Sequence, residues 1–258
     1  SAWGVPGSCS ATDATRAVGY TAGVSDSPRL AILKSAPGVP QGAPESTLVV
    51  HEIYASLQGE STWTGLSCVF VRLSACHLRC AWCDTPHAFD QGARRTVDDV
   101  VAEAHGHGIA LVEITGGEPL LQPGVYSLMA RLADLGHTVL LETSGSLDVA
   151  RVDPRVIKIV DLKCPDSGET ERNRWENLDA LGVRDEIKFV LASRGDYEWA
   201  RTVIVEKGLA RRWTVLLSVA HGLLAPAEVA RWMLEDRLPA RFQLQTHKVI
   251  WDPSARGV

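Results

Sequence analysis

Three cysteines within eight residues are the part of this sequence best suited to chemistry. They stand as Cys76-x3-Cys80-x2-Cys83 in the segment SACHLRCAWCDTPHAF. Thiolates are soft donors that suit iron, and three on one short loop can hold three corners of a cubane cluster. The fourth iron then has no protein ligand from this loop, and an open position is what activation of a molecule at a metal requires. A structural zinc would ask for a fourth ligand; His77 or His87 would have to supply it, and His77 is wedged between two of the thiols. The other cysteines lack such company. Cys68 opens an apolar stretch and reads as core, Cys164 has no ligand set around it, and Cys9 lies in a segment without periodicity.

The rest of the composition narrows the setting. At 258 residues with 45% hydrophobic and 22% charged side chains, the chain reads as an ordinary globular protein. A net charge of −5 offers no general attraction to nucleic acid. No apolar run nears the roughly 20 residues that cross a bilayer, and the first residues show no signal-peptide pattern. Clustered cysteines in a chain of this size point to metal chemistry in a reducing, cytoplasmic compartment, not to disulfides.

The elements that must position the cysteines begin near Leu48. Residues 1–48 are rich in Ser, Ala, Gly and Pro and are expected to form a flexible, disordered extension; residues 49–258 are expected to form one domain. Short apolar runs predict strands at Cys68–Leu73, LVEI, TVLLE, VIKIV, EIKFVL, TVLLSV and RFQLQ. Between them, Val97, Val100, Val101 and Ala104 share one helical face behind Thr96 as N-cap. Val125, Leu128, Met129, Leu132 and Leu135 form a second stripe that Gly136 ends. Further helices are expected at Asn173–Leu181, Asp196–Lys207 and Pro226–Glu235.

Strands alternating with helices call for a parallel α/β sheet, either doubly wound or closed into a barrel. The barrel is favoured because each distinctive segment directly follows a strand: the cysteine run, TGGEP (115–119), TSG (143–145), DLK (161–163) and THK (246–248). In α/β barrels those loops converge on one mouth.

The cysteine spacing followed by TGGEP resembles the radical S-adenosylmethionine (SAM) superfamily. Within it, HEIYASLQGESTWTGLSCVFVRLSACHLRCAWCDT, ITGGEPLL, LLETSG, VDLKCPDSGE, IKFVLAS and LQTHKVIWDPSARGV resemble the 7-carboxy-7-deazaguanine synthase family, over about residues 49–258. The resemblance implies an incomplete, TIM-like β/α barrel. It also implies a [4Fe–4S] cluster on Cys76, Cys80 and Cys83, with SAM and Mg²⁺ as further cofactors. The implied reaction turns 6-carboxy-5,6,7,8-tetrahydropterin into 7-carboxy-7-deazaguanine with loss of ammonia, on the way to queuosine and other 7-deazapurines. A one-electron donor such as flavodoxin and a homodimer are implied as partners.

Residue roles carry over where the motifs match. The resemblance implies that Leu57, Gln58, Gly59, Arg72 and Thr115 contact the pterin, and that Thr85 ligates Mg²⁺. It implies that Trp82, Asp84, Gly117, Asp161, Leu162 and Lys163 contact SAM, although many members have Ser where this chain has Asp161. Arg72 has an independent reading, because a guanidinium inside an apolar strand needs a partner: a substrate carboxylate or a structural ion pair. Glu60 reads either as a substrate contact or as a solvated loop carboxylate, and Gln245 and His247 as closing the mouth. Two rivals remain open at this point. A glycyl-radical-enzyme activase shares the cysteine spacing but needs no pterin pocket, and a non-catalytic metal-binding module needs neither TGGEP nor a barrel.

Overall fold

The computed structural model describes residues 45–253 and 255–258. Most of the expected extension, with Cys9, lies outside these residues. Thr47 and Leu48 belong to the first strand and Leu48 is buried, so the folded part takes in the end of that extension.

One sheet organises the domain. Its strands are β1 (Thr47–Leu57), β2 (Ser67–Leu73), β3 (Ala93–Thr96), β4 (Leu111–Gly116), β5 (Thr138–Thr143), β6 (Ile157–Asp161), β7 (Glu186–Leu191), β8 (Thr214–Val219) and β9 (Arg241–Phe242). Their spatial order is β3-β1-β2-β4-β5-β6-β7-β8-β9. From β2 to β9 all neighbours are parallel, as the β-then-α alternation predicts. The edge strands β3 and β9 do not pair with each other, so the barrel is incomplete. The antiparallel pairs β1–β2 and β1–β3 were not anticipated. A hairpin followed by parallel units is hidden when every strand is assumed to have its own crossover.

The crossover helices are α1 (Val97–Gly106), α2 (Gly124–Asp134), α3 (Asn177–Ala180), α4 (Arg194–Glu206) and α5 (Pro226–Asp236), and a last turn, α6 (His247–Ile250), follows β9. Thr96 Oγ1 accepts from Asp99 N at 3.1 Å, the predicted N-cap of α1. Leu135 departs from its expected stripe: α2 has ended, Gly136 turns with φ +86°, and Leu135 is 49% exposed. The helix expected at Asn173–Leu181 shrinks to α3. There the Asn173 amide bonds both N and O of Lys163, and Asn177 Nδ2 donates to Gly145 O and Leu147 O, so these side chains staple loops. The strand expected at RFQLQ keeps two residues; beyond it Gln243 N still donates to Leu217 O at 2.9 Å and Gln243 Oε1 accepts from Ser61 N at 2.8 Å.

Period-two alternation divides the strands between two faces. Outward residues such as Val69, Val71, Val112, Ile114, Leu141, Val160, Ile187, Phe189, Val215 and Leu217 join the helices in the main core. Inward residues begin apolar, and Cys68, Phe70, Leu111, Leu140, Ile157 and Ile159 plug the lumen. Two residues further on, the same inward face becomes ionisable: Arg72 after Phe70, Glu113 after Leu111, Glu142 after Leu140, Asp161 after Ile159. A dry floor therefore carries a charged chamber at the C-terminal ends of the strands.

Candidate active site

The chamber is a cavity of about 270 Å³, and all five predicted post-strand segments contribute to its lining. Cys76, Cys80, Cys83, Thr85, Leu57, Gln58, Gly59, Arg72, Thr115, Trp82, Asp84, Gly117, Asp161 and Lys163 line it. Leu162 does not. Asp161 and Lys163 point inward, so the residue between them points outward, and Leu162 is 2% exposed in the main core. Its expected SAM contact is therefore not a side-chain contact with this cavity; its backbone N donates to Lys188 O at 2.8 Å.

The cysteine loop is held from several sides. Ala75, the residue before the first thiol, takes a left-handed φ of +75°, a conformation that costs a residue with a Cβ about 1–2 kcal/mol. Its N donates to Ala88 O and its O accepts from Glu118 N, both at 2.8 Å. Arg79 N donates to Glu169 at 2.5 Å, and the Arg79 guanidinium stacks on Phe89, 4.4 Å from the ring centroid. Gly117 closes against the same loop: a Cβ there would lie 2.1 Å from Ala75 O. The missing side chain is thus required by the loop itself, before any ligand is considered.

These thiols fit a cluster better than a single ion. Around one tetrahedral zinc with Zn–S bonds of about 2.3 Å, sulfurs lie about 3.8 Å apart. Among the described residues the three Sγ atoms form no group lying mutually within 4.8 Å. Each is a free thiol, and Leu78 N donates to Cys76 Sγ at 3.4 Å. Burial pushes the Cys76 thiol up to about 11 and Cys80 in the same direction, so metal loading must displace protons. Thr85 Oγ1 sits 3.9 Å from Cys83 Sγ, which puts a hard oxygen donor beside the soft set.

Glu118 of TGGEP is fully buried and joins the loops after β4 and β5. It accepts from Thr143 Oγ1 at 2.9 Å, Ser144 N at 2.8 Å and Leu120 N at 3.0 Å. Two predicted segments are thereby locked by one carboxylate.

Deeper in the chamber lies a group that the motifs did not reveal. Lys188, on β7, is nearly inaccessible and pairs with Glu60 Oε2 at 2.9 Å and with Glu142; Asp161 Oδ2 lies 3.9 Å away and bonds Lys163 at 2.9 Å. Gln58 Nε2 donates to Glu113, and Gln58 Oε1 accepts from Glu60 N. Burial pushes the Glu60 carboxyl up, but Lys188 overrides it and holds the carboxyl below the usual range. Burial, reinforced by the charge of Glu142, raises Glu113 well above that range. For Lys188 burial favours the neutral form, yet Glu142 and Glu60 outweigh it. Asp161 Oδ1 is buried without a hydrogen-bond partner, an acceptor left for a ligand. The usable signal was the one applied to Arg72, an ionisable residue inside an apolar strand. Lys158 carries the same signal but faces the other way, in an ion pair of 2.9 Å with Asp185.

At the rim, Arg72 lines the cavity while its Nε donates to Glu52 at 2.7 Å and its Nη2 to Tyr54 Oη at 2.8 Å, so the structural ion pair is present. Glu60 is half-buried and bonded, not a solvated loop carboxylate; Gln245 Nε2 donates to it at 2.9 Å. Asp84 pairs with Lys248 at 2.8 Å, and although burial pushes its carboxyl up, Lys248 brings it down to about 2. A Cβ at Gly59 would meet His247 Nδ1 at 2.3 Å, so the loop after β1 and α6 pack face to face. Thr246 N donates to Gly59 O at 3.0 Å and Thr62 N to Glu186 Oε2 at 3.1 Å, and these bonds span the open side of the barrel.

Comparison with known proteins agrees with this geometry. The radical SAM superfamily matches residues 71–165. A 7-carboxy-7-deazaguanine synthase of Koribacter versatilis is 47% identical, over 81% of this chain and 99% of that protein. One of Chlorobaculum tepidum is 46% identical, over 83% and 99%. The crystal structure of QueE from Escherichia coli superposes with a TM-score of 0.63 at 24% identity, over 77% of this chain and 93% of that one, a likeness of fold.

Proposed function

We propose, on the premise that this chain belongs to the 7-carboxy-7-deazaguanine synthase family of radical SAM enzymes, that it converts 6-carboxy-5,6,7,8-tetrahydropterin to 7-carboxy-7-deazaguanine with loss of ammonia. The observation that carries the reading is one cavity lined both by three free thiols and by the Gln58–Glu60 and Arg72 groups.

In this reading Cys76, Cys80 and Cys83 would hold a [4Fe–4S] cluster and Thr85 would offer its hydroxyl to Mg²⁺; the cluster with SAM, when bound, would supply radical chemistry. Gln58 and Thr115 present amide and hydroxyl groups to the pterin edge, with Leu57 and Gly59 shaping the wall. Arg72 receives the substrate carboxylate on the part of its fork that Glu52 and Tyr54 leave free. Trp82, Asp84, Gly117, Asp161 and Lys163 would hold SAM, toward which Asp161 Oδ1 has capacity to accept a hydrogen bond. Lys188 and its carboxylates hold fixed charge under the substrate, and the apolar floor excludes water from the reacting carbon. A flavodoxin-like donor, a homodimer and a cytoplasmic setting belong to the same reading; the free thiols of the described residues suit a reducing compartment.

The test is to reconstitute the protein without oxygen and supply carboxytetrahydropterin, SAM, Mg²⁺ and dithionite. The expected product is 7-carboxy-7-deazaguanine. A fully loaded cluster that cleaves SAM under reduction but gives no deazaguanine would refute the substrate, and one that never cleaves SAM would refute the radical SAM reading itself.

A further inference from the structure

Two consecutive strand residues normally point to opposite faces and cannot serve one centre. At His51 and Glu52 that rule is broken. The β1–β2 register slips there, with Val50 opposite Leu73 and Glu52 opposite Arg72, so His51 is the extra residue of a bulge. A bulge re-aims side chains, and here it brings the donor atoms of His51 and Glu52 together with that of His87, all within 4.8 Å of one another and half-buried. His87 comes from the short turn Pro86–Ala88 that follows the cysteine loop, and its ring centroid is 5.0 Å from that of His51.

We propose that His51, Glu52 and His87 form a binding site for a late first-row divalent cation, for which Zn²⁺ is the probe. Two imidazoles and one carboxylate are a donor set that suits zinc and leaves room for a water or a ligand. The surroundings orient these donors. Gln91 O lies 3.2 Å from His51 Nδ1, and a proton shared there leaves Nε2 with its lone pair. Arg72 holds one oxygen of Glu52 at 2.7 Å, which fixes the carboxylate. Arg72 and Arg256 bring positive charge to this corner, which opposes any divalent ion and leaves its retention to the two nitrogen donors and the carboxylate. Among the described residues, none of the three cysteines belongs to this group of donors. Glu52 and His87 line the cavity, so an ion here touches whatever fills it.

The experiment uses the cluster-loaded protein, dialysed without oxygen against buffered Zn²⁺, with zinc and iron measured together. The expected result is about one zinc per chain at unchanged iron. His51→Ala and His87→Ala should each weaken zinc binding by at least about tenfold while keeping the iron, which reports that the variants fold. Anomalous diffraction at the zinc edge should place the ion among the three residues. Zinc held by either variant as tightly as by the parent, zinc taken up only as iron is lost, or no zinc at all would overturn the proposal.

Discussion

Lys188 Nζ lies 2.9 Å from Glu60 Oε2, joining β7 to the loop after β1 across 128 residues of sequence. Glu142 completes the contact from β5. Removing the buried ammonium would leave two half-buried carboxylates without a counter-charge, a loss of up to about 3–5 kcal/mol. Lys188→Met should lower the unfolding free energy by that amount in a denaturant titration. Adding Glu60→Gln and Glu142→Gln to the same chain should restore part of it, because neutral amides need no cation. A loss below about 1 kcal/mol for Lys188→Met would mean that the three groups do not act together.

Glu113 gives the protein a pH dependence of definite sign. Its folded carboxyl titrates above the ordinary value, so over the interval between the two values the folded state binds the proton and the unfolded state does not. Stability from this group is therefore complete below the ordinary carboxylate range and falls as pH rises toward the folded value, by up to about 1.4 kcal/mol per pH unit. Glu113→Gln cannot ionise. Thermal unfolding of this variant from pH 5 upward should decline less steeply than that of the parent; parallel curves would refute the assignment.

Gly117 and Gly106 offer a matched pair. A methyl at Gly117 meets Ala75 O, whereas at Gly106 nothing lies within 4 Å. Gly117→Ala should push the cysteine loop outward and reduce bound iron after reconstitution, with helix content kept. Gly106→Ala should hold full iron and gain up to about 1 kcal/mol by restricting the unfolded chain. Equal iron in both would show that the close approach does not set the loop.

The cysteines divide by environment. Cys76→Ala, Cys80→Ala and Cys83→Ala should each prevent a stable four-iron cluster, read by iron analysis and by the cluster's visible absorption. Cys68→Ala should leave the absorption intact, since that thiol is buried in the lumen plug and burial pushes its pKa far up.

How much of this was legible in the sequence follows from the range of each signal. Cys76, Cys80 and Cys83 are local, and so is the Thr96 cap; short spacing carries both. The parallel strands announced themselves as apolar runs because both faces are covered. Glu113, Glu142 and Lys188 were overlooked because a single ionisable residue in such a run does not say which face it occupies, and Lys158 shows the same text used for an ion pair outside the chamber. The side chain of Leu162 turns away for a related reason: a motif names three successive residues, while a strand end offers only alternate side chains to a cavity. The antiparallel direction of β1 was invisible until its ladder with β2 was seen, since nothing local distinguishes a strand's heading.

That direction has a consequence for how the wall can move. Between β2 and β9 the enclosure is a continuous ladder, and parting it anywhere means breaking several paired amides at once. Across the remaining side the fastening is of another kind, separate loop and side-chain contacts from Gly59, Glu60, Ser61 and Thr62 to Thr246, Lys188, Gln245, Gln243 and Glu186. Neutral bonds of this kind contribute only about 1 kcal/mol net each, so apart from the Lys188–Glu60 ion pair this seam is fastened by separate contacts and not by a ladder. Amide exchange at Ser61, Thr62 and Thr246 should therefore outpace that of β4 to β7, while the seven-strand parallel array stays whole.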